Sequence, residues 1–208
     1  GIGPAGTGKT WLAVQRAAEA LNAGLIEKIV LTRPAIEAGE TLGFLPGELD
    51  EKFEPYIRPV RDALEEAFGS THLEYLLKRG VIEPRPLAYL RGSTIKNAWL
   101  IADEMQNATV TQFKMLLSRV GEGAKFLING DPAQCDLPKG SGLLDAVHRL
   151  RNLAEVKTVR FTNADIVRSG LCQKIVEAYD EPSSNRYNAD NDENQEGVKR
   201  FLNAGSSD

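Results

Sequence analysis

The ten residues that open the chain, Gly1-Ile2-Gly3-Pro4-Ala5-Gly6-Thr7-Gly8-Lys9-Thr10, contain the spacing G-x-x-x-x-G-K-[ST] and constrain the fold more than any other stretch. Glycines at this spacing let successive backbone N–H groups curl around phosphate oxygens. Lys9 adds a mobile point charge for outer phosphates, and the Thr10 hydroxyl is a hard oxygen ligand suited to Mg²⁺. Trp11, Val14, Ala18 and Leu21 continue at helical spacing, so the loop opens a helix whose positive end faces the same anion. The candidate phosphate-binding residues are Gly3, Pro4, Ala5, Gly6, Thr7, Gly8, Lys9, Thr10 and Trp11. A glycine-rich helix start with no ligand is the plainer alternative, and the downstream strand ends weigh against it. Only Gly1 and Ile2 precede the loop, where a strand is expected to feed it, so the expectation is a longer protein that supplies that strand.

At 208 residues and 42% hydrophobic content, the chain suits one substantial domain with a single core. A net charge of −4 gives no global basic field, although a local groove can be basic on an acidic protein. Cys135 and Cys172 fit no metal or redox spacing; reduced thiols are the plainer reading, and a disulfide stays open. Apolar runs reach only four to five residues and no secretory pattern appears, so the expectation is a cytoplasmic protein with no membrane partner.

Along the chain, Gly24 is a natural helix stop and Lys28 to Thr32 reads as a short buried strand leading into Arg33-Pro34. Residues 35 to 50 hold three glycines and a proline, a candidate lid or partner-binding segment. Pro59 can start a helix bearing Val60, Leu64 and Phe68, and Thr71 with Glu74 forms a capping box for a second one. These two helices break the strand-helix alternation and read as an insertion between residues 50 and 80. Val81-Ile82-Glu83 is a strand fragment near prolines, and Leu87 to Gly92 fits either a strand or a loop. Trp99 to Ala102, Lys125 to Asn129 and Val156 to Phe161 read as further strands. Thr109 with Gln112 caps a helix carrying Phe113 and Leu116, Ser141 caps another, and Leu171, Ile175 and Tyr179 mark a last one. Residues 1–180 therefore form one domain, and 181–208 a polar, flexible extension with six acidic and three basic residues. The fold class is α/β: three layers around a mostly parallel sheet of about five strands.

Four apolar residues followed by two carboxylates, Trp99 to Glu104, are what a nucleotide hydrolase with a phosphate loop needs on a neighbouring strand. Asp103 would hold Mg²⁺ beside Thr10, and Glu104 would orient the attacking water. An acidic turn at a strand end is common on its own. Here it is joined by a second polar strand end, Gly130-Asp131-Pro132-Ala133-Gln134, where Gln134 can sense a terminal phosphate with a neutral amide. Alone, Gly-Asp-Pro is simply a good turn. Arg33, Arg58, Arg61 and Arg91, with Tyr56, Tyr89 and Phe44, are candidates for a nucleic-acid groove, against the commoner reading of solvated arginines and core aromatics. His72 and His148 read as structural.

The order of phosphate loop, Thr32-Arg33-Pro34, Asp103-Glu104-Met105-Gln106 and Gly130-Asp131 through Gln134 resembles the first motor domain of superfamily-one helicases. The closer resemblance is to the PhoH-like ATPase family. It is carried by Thr32-Arg33-Pro34 with Glu37 to Glu40, Leu42 to Gly47, Leu87 to Gly92, and Gly130-Asp131 through Asp136-Leu137-Pro138, and it runs from Gly1 to about Asp180. The chain departs from the family pattern in lacking the upstream strand, in Met105 where many members have a small residue, and in a short Lys139 to Gly142. The resemblance implies a single RecA-like domain that binds and hydrolyses ATP with Mg²⁺, an RNA partner, and a homo-oligomer, since some members of the family assemble as rings. It also implies that Arg168 corresponds to an arginine that closes the domain and reaches the terminal phosphate from its own or a neighbouring subunit; an ordinary capping arginine is the alternative. Two rival readings stand beside this ATPase: a nucleotide-dependent binding and assembly module with little turnover, and a small-molecule kinase. The paired strand ends favour an ordered water over a kinase's bound hydroxyl.

Overall fold

The computed structural model describes residues 1–34, 49–137, 140–167 and 170, with side chains in the helix beginning at Leu49 described at 58 and from 60 onward. All elements below belong to the compact unit Gly1–Val167; Arg168–Asp208 forms a second unit. Arg168, Phe44, residues 35–48 of the candidate lid 35–50, the helix marked by Leu171, Ile175 and Tyr179, and the extension 181–208 lie outside the described residues.

The phosphate loop leads into α1 (Lys9–Asn22), followed by β1 (Lys28–Thr32), α2 (Leu49–Phe68), α3 (Ser70–Lys78), β2 (Ile82–Pro84), β3 (Ala98–Ala102), α4 (Val110–Leu117), β4 (Lys125–Ile128) and α5 (Gly142–Leu150). Among the described residues the sheet is parallel throughout, in the order β2-β1-β3-β4. The α/β class expected from the sequence is therefore what the chain adopts. Beyond β4 the order continues through single bridges, because Ile2 pairs in parallel with both Gly130 and Arg160. The Ile2 N–H donates to the Val159 carbonyl at 2.9 Å, and its own carbonyl accepts from Phe161 N–H at 2.7 Å. The loop thus leaves the sheet beside the end of β4, and β4 stands between it and β3.

Alternation within the strands sorts the core onto two faces. Ile29, Leu31 and Ile101 pack with Ala13, Val14 and Ala17 of α1, Val60 and Leu64 of α2, and Leu73 and Leu76 of α3. Val30, Leu100 and Ala102 point the other way, onto Phe113 and Leu116 of α4 and onto Leu143 and Ala146 of α5. Small alanines on α1 let α2 approach, and the Gln15 amide donates to the Ala63 carbonyl at 3.2 Å across that seam. Arg61 ties α2 to α3 by bonding Glu65 at 2.8 Å and Glu74 at 2.6 Å, so it is not free for a groove.

Several local expectations are corrected. Helix α2 begins at Leu49, ten residues before Pro59, and runs through both Pro55 and Pro59. A proline inside a helix forfeits one backbone hydrogen bond, and burial of the Val60 and Leu64 stripe on α1 outweighs that loss. Helix α3 is capped by Gly69 at φ 74°, so Thr71 falls in the first turn and forms no capping box. Residues 156–161 form no strand; the segment meets Ile2 through a single parallel bridge at Arg160. Leu87–Leu90 is neither strand nor loop but a 3₁₀ turn that buries Leu87 and Leu90. The box of Thr109 with Gln112 and the Ser141 cap both form. Among the described residues no helix is long and apolar enough to cross a membrane.

Candidate functional site

Gly8 adopts φ 75°, a left-handed conformation that side chains resist, and this turns the loop into the first turn of α1. The opening N–H groups of α1 have no partner within the helix and face the loop. Lys9 folds back over the loop, its ammonium donating to the carbonyls of Gly3 at 2.8 Å and Pro4 at 2.6 Å, with the Thr7 hydroxyl at 3.4 Å. Burial holds the Lys9 ammonium below the usual lysine range, while the negative charges of Asp131, Asp103 and Glu104 pull it back up. The buried Thr7 hydroxyl donates to the Pro4 carbonyl at 2.9 Å and stiffens the turn.

The sheet brings two strand ends to this loop. At the tip of β3, Asp103 accepts from the Thr10 hydroxyl at 2.8 Å, joining residues 93 positions apart in sequence. Burial pushes the Asp103 carboxyl above the ordinary carboxylate range; the Thr10 hydrogen bond opposes this, and the neighbouring Glu104 charge adds to it. A backbone N–H from Glu104 and the charge of Arg33 give smaller opposing pulls. Glu104 itself sits at φ 55°, ψ 31°, a left-handed backbone uncommon for a residue other than glycine. At the end of β4, the Asp131 carboxylate accepts from Ala5 N–H at 3.1 Å, Ala133 N–H at 3.0 Å and the Gln134 amide at 3.0 Å.

Together these elements enclose a cavity of about 230 Å³. Its walls are Ala5, Gly6, Gly8, Lys9, Thr10 and Trp11 from the loop and α1, Asp103 and Glu104 from β3, and Gly130, Asp131 and Gln134 after β4. Of the other phosphate-loop candidates, Gly3, Pro4 and Thr7 serve Lys9 from behind this wall. Trp11 is half exposed, and its indole N–H donates to Glu66 of α2 at 2.7 Å. Arg58, Arg91 and Tyr89 are exposed, away from the cavity lining.

Thr10 and Asp103 offer a hydroxyl and a carboxylate, hard oxygens that suit Mg²⁺, an ion usually held by one or two carboxylates with water and substrate phosphates. Among the described residues no group of three or more His, Cys, Asp or Glu could form an all-protein cage. The donor set therefore fits a cation that arrives with a phosphate ligand.

Two residues of this arrangement escape sequence reasoning. Asp131 reads as the start of a good turn, and it does cap the Pro132–Gln134 turn, but its second oxygen reaches across to the phosphate loop. Gln106 falls inside a quoted motif with no role attached, yet it is only 1% exposed and bonded at both ends of its amide. A glutamine between Met105 and Ala108, both buried, is the signal that points to it.

Comparison with known proteins agrees with the motif order. The family model described as PhoH-like protein matches residues 1–180. A PhoH-like protein of Bacillus subtilis is 54% identical over 182 residues, covering 86% of this chain and 57% of the relative. A PhoH-like protein of Mycobacterium tuberculosis is 49% identical over 189 residues, covering 88% of the chain and 54% of the relative. Protein PhoH of Escherichia coli is 49% identical over 181 residues, covering 85% and 51%. The chain thus spans about half the length of these curated relatives.

Proposed function

Since the chain belongs to the PhoH-like family, a family of the phosphate-loop nucleotide-hydrolase type, we propose that it binds ATP and hydrolyses it with Mg²⁺, and that turnover is coupled to RNA. The observation that carries the reading is the 2.8 Å bond between Thr10 and Asp103 in one cavity with Lys9, Glu104 and Gln134. A phosphate loop, a strand-end carboxylate pair and a neutral amide from the next strand end, separated in sequence, meet at one place.

In this reading the β- and γ-phosphates lie on the N–H groups of the loop and the start of α1. Lys9 exchanges the Gly3 and Pro4 carbonyls for phosphate oxygens, and its depressed proton affinity is restored by the incoming negative charge. Thr10 and Asp103 would hold Mg²⁺, which supplies charge neutralisation at the phosphate oxygens when bound. Glu104 orients water for in-line attack and takes up its proton, and Gln134 meets the terminal phosphate without charge repulsion. Trp11, beside the loop, offers a face to the sugar or base. Residues 1–180 form the ATPase domain in this proposal, and a homo-oligomer in the cytoplasm is the working form.

Phosphate release with and without RNA tests the reading. Lys9→Ala is expected to remove tight ATP binding or turnover, and Glu104→Gln to keep binding while turnover falls roughly 10²–10⁴-fold, the usual contribution of a general base. Unchanged affinity and rate in Lys9→Ala would sink the site. RNA-stimulated release supports the coupling; nucleotide-dependent assembly without release would support a binding module instead.

A further inference from the structure

The geometry points to Gln106 as a positioning residue: a buried amide that fixes the direction of the Glu104 carboxylate by anchoring it to the end of β4. This deepens the hydrolase reading and rests on Glu104 as the group that orients water. Gln106 lies in the short turn Met105–Asn107 that follows β3, and it is 1% exposed. Its Nε2 donates to Glu104 Oε2 at 2.6 Å, and its Oε1 accepts from Asp131 N–H at 3.0 Å. The orientation of the amide is forced. Reversed, it would set a carbonyl against a carboxylate and an N–H against an N–H.

Packing holds the amide in that place. A Cβ at Gly130 would stand 2.6 Å from Leu143 Cδ2 and 3.0 Å from both the backbone nitrogen and Oε1 of Gln106, so a side chain there would press on Leu143 and on the turn that carries Gln106. Met105 N–H donates to the Asn129 carbonyl at 3.0 Å and fastens the same turn to β4 from its backbone. Glu104 stands between Asp103 and this fastened turn in a left-handed conformation, so its carboxylate direction is set by Gln106 rather than by strand geometry. The linkage runs on from Asp131 to Ala5 N–H in the phosphate loop and to the Gln134 amide. Loop, amide sensor and water-orienting carboxylate are thereby held to one frame.

A group that only positions another acts on the turnover rate and leaves ground-state nucleotide affinity alone. Gln106→Met keeps most of the side-chain length and volume and removes both hydrogen bonds. The experiment measures kcat, equilibrium ATP affinity and melting temperature for wild type, Gln106→Met, Glu104→Gln and the double variant. The expected result is a kcat lower by roughly tenfold to a hundredfold, the usual range for losing a hydrogen bond to a charged group. ATP affinity stays within about threefold, and no further loss appears when Gln106→Met is added to Glu104→Gln. Gln106→Asn, which keeps the amide but cannot span both partners, serves where the methionine variant does not fold, and it is expected to lose kcat in the same way. An unchanged kcat, a matching fall in ATP affinity, or a full extra penalty in the Glu104→Gln background would overturn the assignment. Wild-type turnover in Glu104→Gln alone would instead remove the reading of Glu104, and the assignment of Gln106 with it.

Discussion

Asp103 and Asp131 follow neighbouring parallel strands, face the same cavity, and differ in what holds them. Asp131 has its two oxygens filled by two backbone N–H groups and one amide, from the phosphate loop and from its own turn. Among the described residues Asp103 has the Thr10 hydroxyl as its side-chain partner, a group that can rotate and offer its oxygen to a cation instead, beside a backbone N–H from Glu104, and burial raises its proton affinity. A carboxylate surrounded by fixed N–H donors is part of the scaffold. One that is desolvated and only partly satisfied is poised for a ligand. The same residue type, one strand apart, is thus sorted into two jobs by the donors that its backbone surroundings supply.

The sharpest way to break this contrast is to remove the charge at each tip. Asp103→Asn is expected to lower Mg²⁺-dependent ATP turnover by at least about a hundredfold, since a metal's contribution to phosphoryl transfer is several kcal/mol. Raising the Mg²⁺ concentration should recover part of that loss. Asp131→Ala acts on the scaffold: it leaves the N–H groups of Ala5 and Ala133 and the Gln134 amide without their acceptor. Chemical denaturation should show a stability loss of about 1–3 kcal/mol, the cost of orphaned polar groups. Turnover in Asp131→Ala should fall with an unchanged Mg²⁺ requirement. Equal Mg²⁺ behaviour of the two variants would erase the distinction.

How far this contrast was legible in sequence follows from what each tip depends on. Asp103 is legible because Trp99 to Ala102 mark a buried strand ending in a carboxylate pair, and a phosphate loop and a second polar strand end accompany that pair in the same chain. The parallel sheet, the Thr109 box and the two-helix insertion were legible for the same reason: each rests on local periodicity or on a short-range hydrogen bond. Asp131 was not, because its part in the site comes from Ala5, 126 positions away, while its local signature is that of an ordinary turn. Gln106 likewise depends on a strand end 25 residues on. Errors in the elements have similar roots. Pro59 argues locally for a helix start, and the burial of Val60 and Leu64 against α1 overrides it. Residues 156–161 have the composition of a strand, yet they join the sheet through a single bridge from Arg160 to Ile2, a long-range pairing that local composition does not specify.

The smallest effect separates the two carboxylates without any nucleotide. Burial raises the Asp103 pKa in the folded protein, so folding favours its protonated form. The stabilising influence of that raised pKa is fully present below the unfolded carboxylate range and is lost as pH rises through the folded value. At neutral pH the metal-free protein therefore carries a charged Asp103 at some cost to stability, and Asp103→Asn relieves it while Lys9 keeps Asp131 and Glu104 as counter-charges. In EDTA, Asp103→Asn should melt at a higher temperature than wild type at pH 7, and the gap should close as pH falls below the carboxylate range. Asp131→Asn should gain nothing at pH 7, because an amide that replaces that carboxylate must turn an N–H toward one of the donors it now accepts from. A neutral-pH gain for Asp131→Asn, or a loss for Asp103→Asn, would mean that burial and donor count do not divide these two strand ends as argued, and that ligand-ready and scaffold carboxylates here must be told apart by function alone.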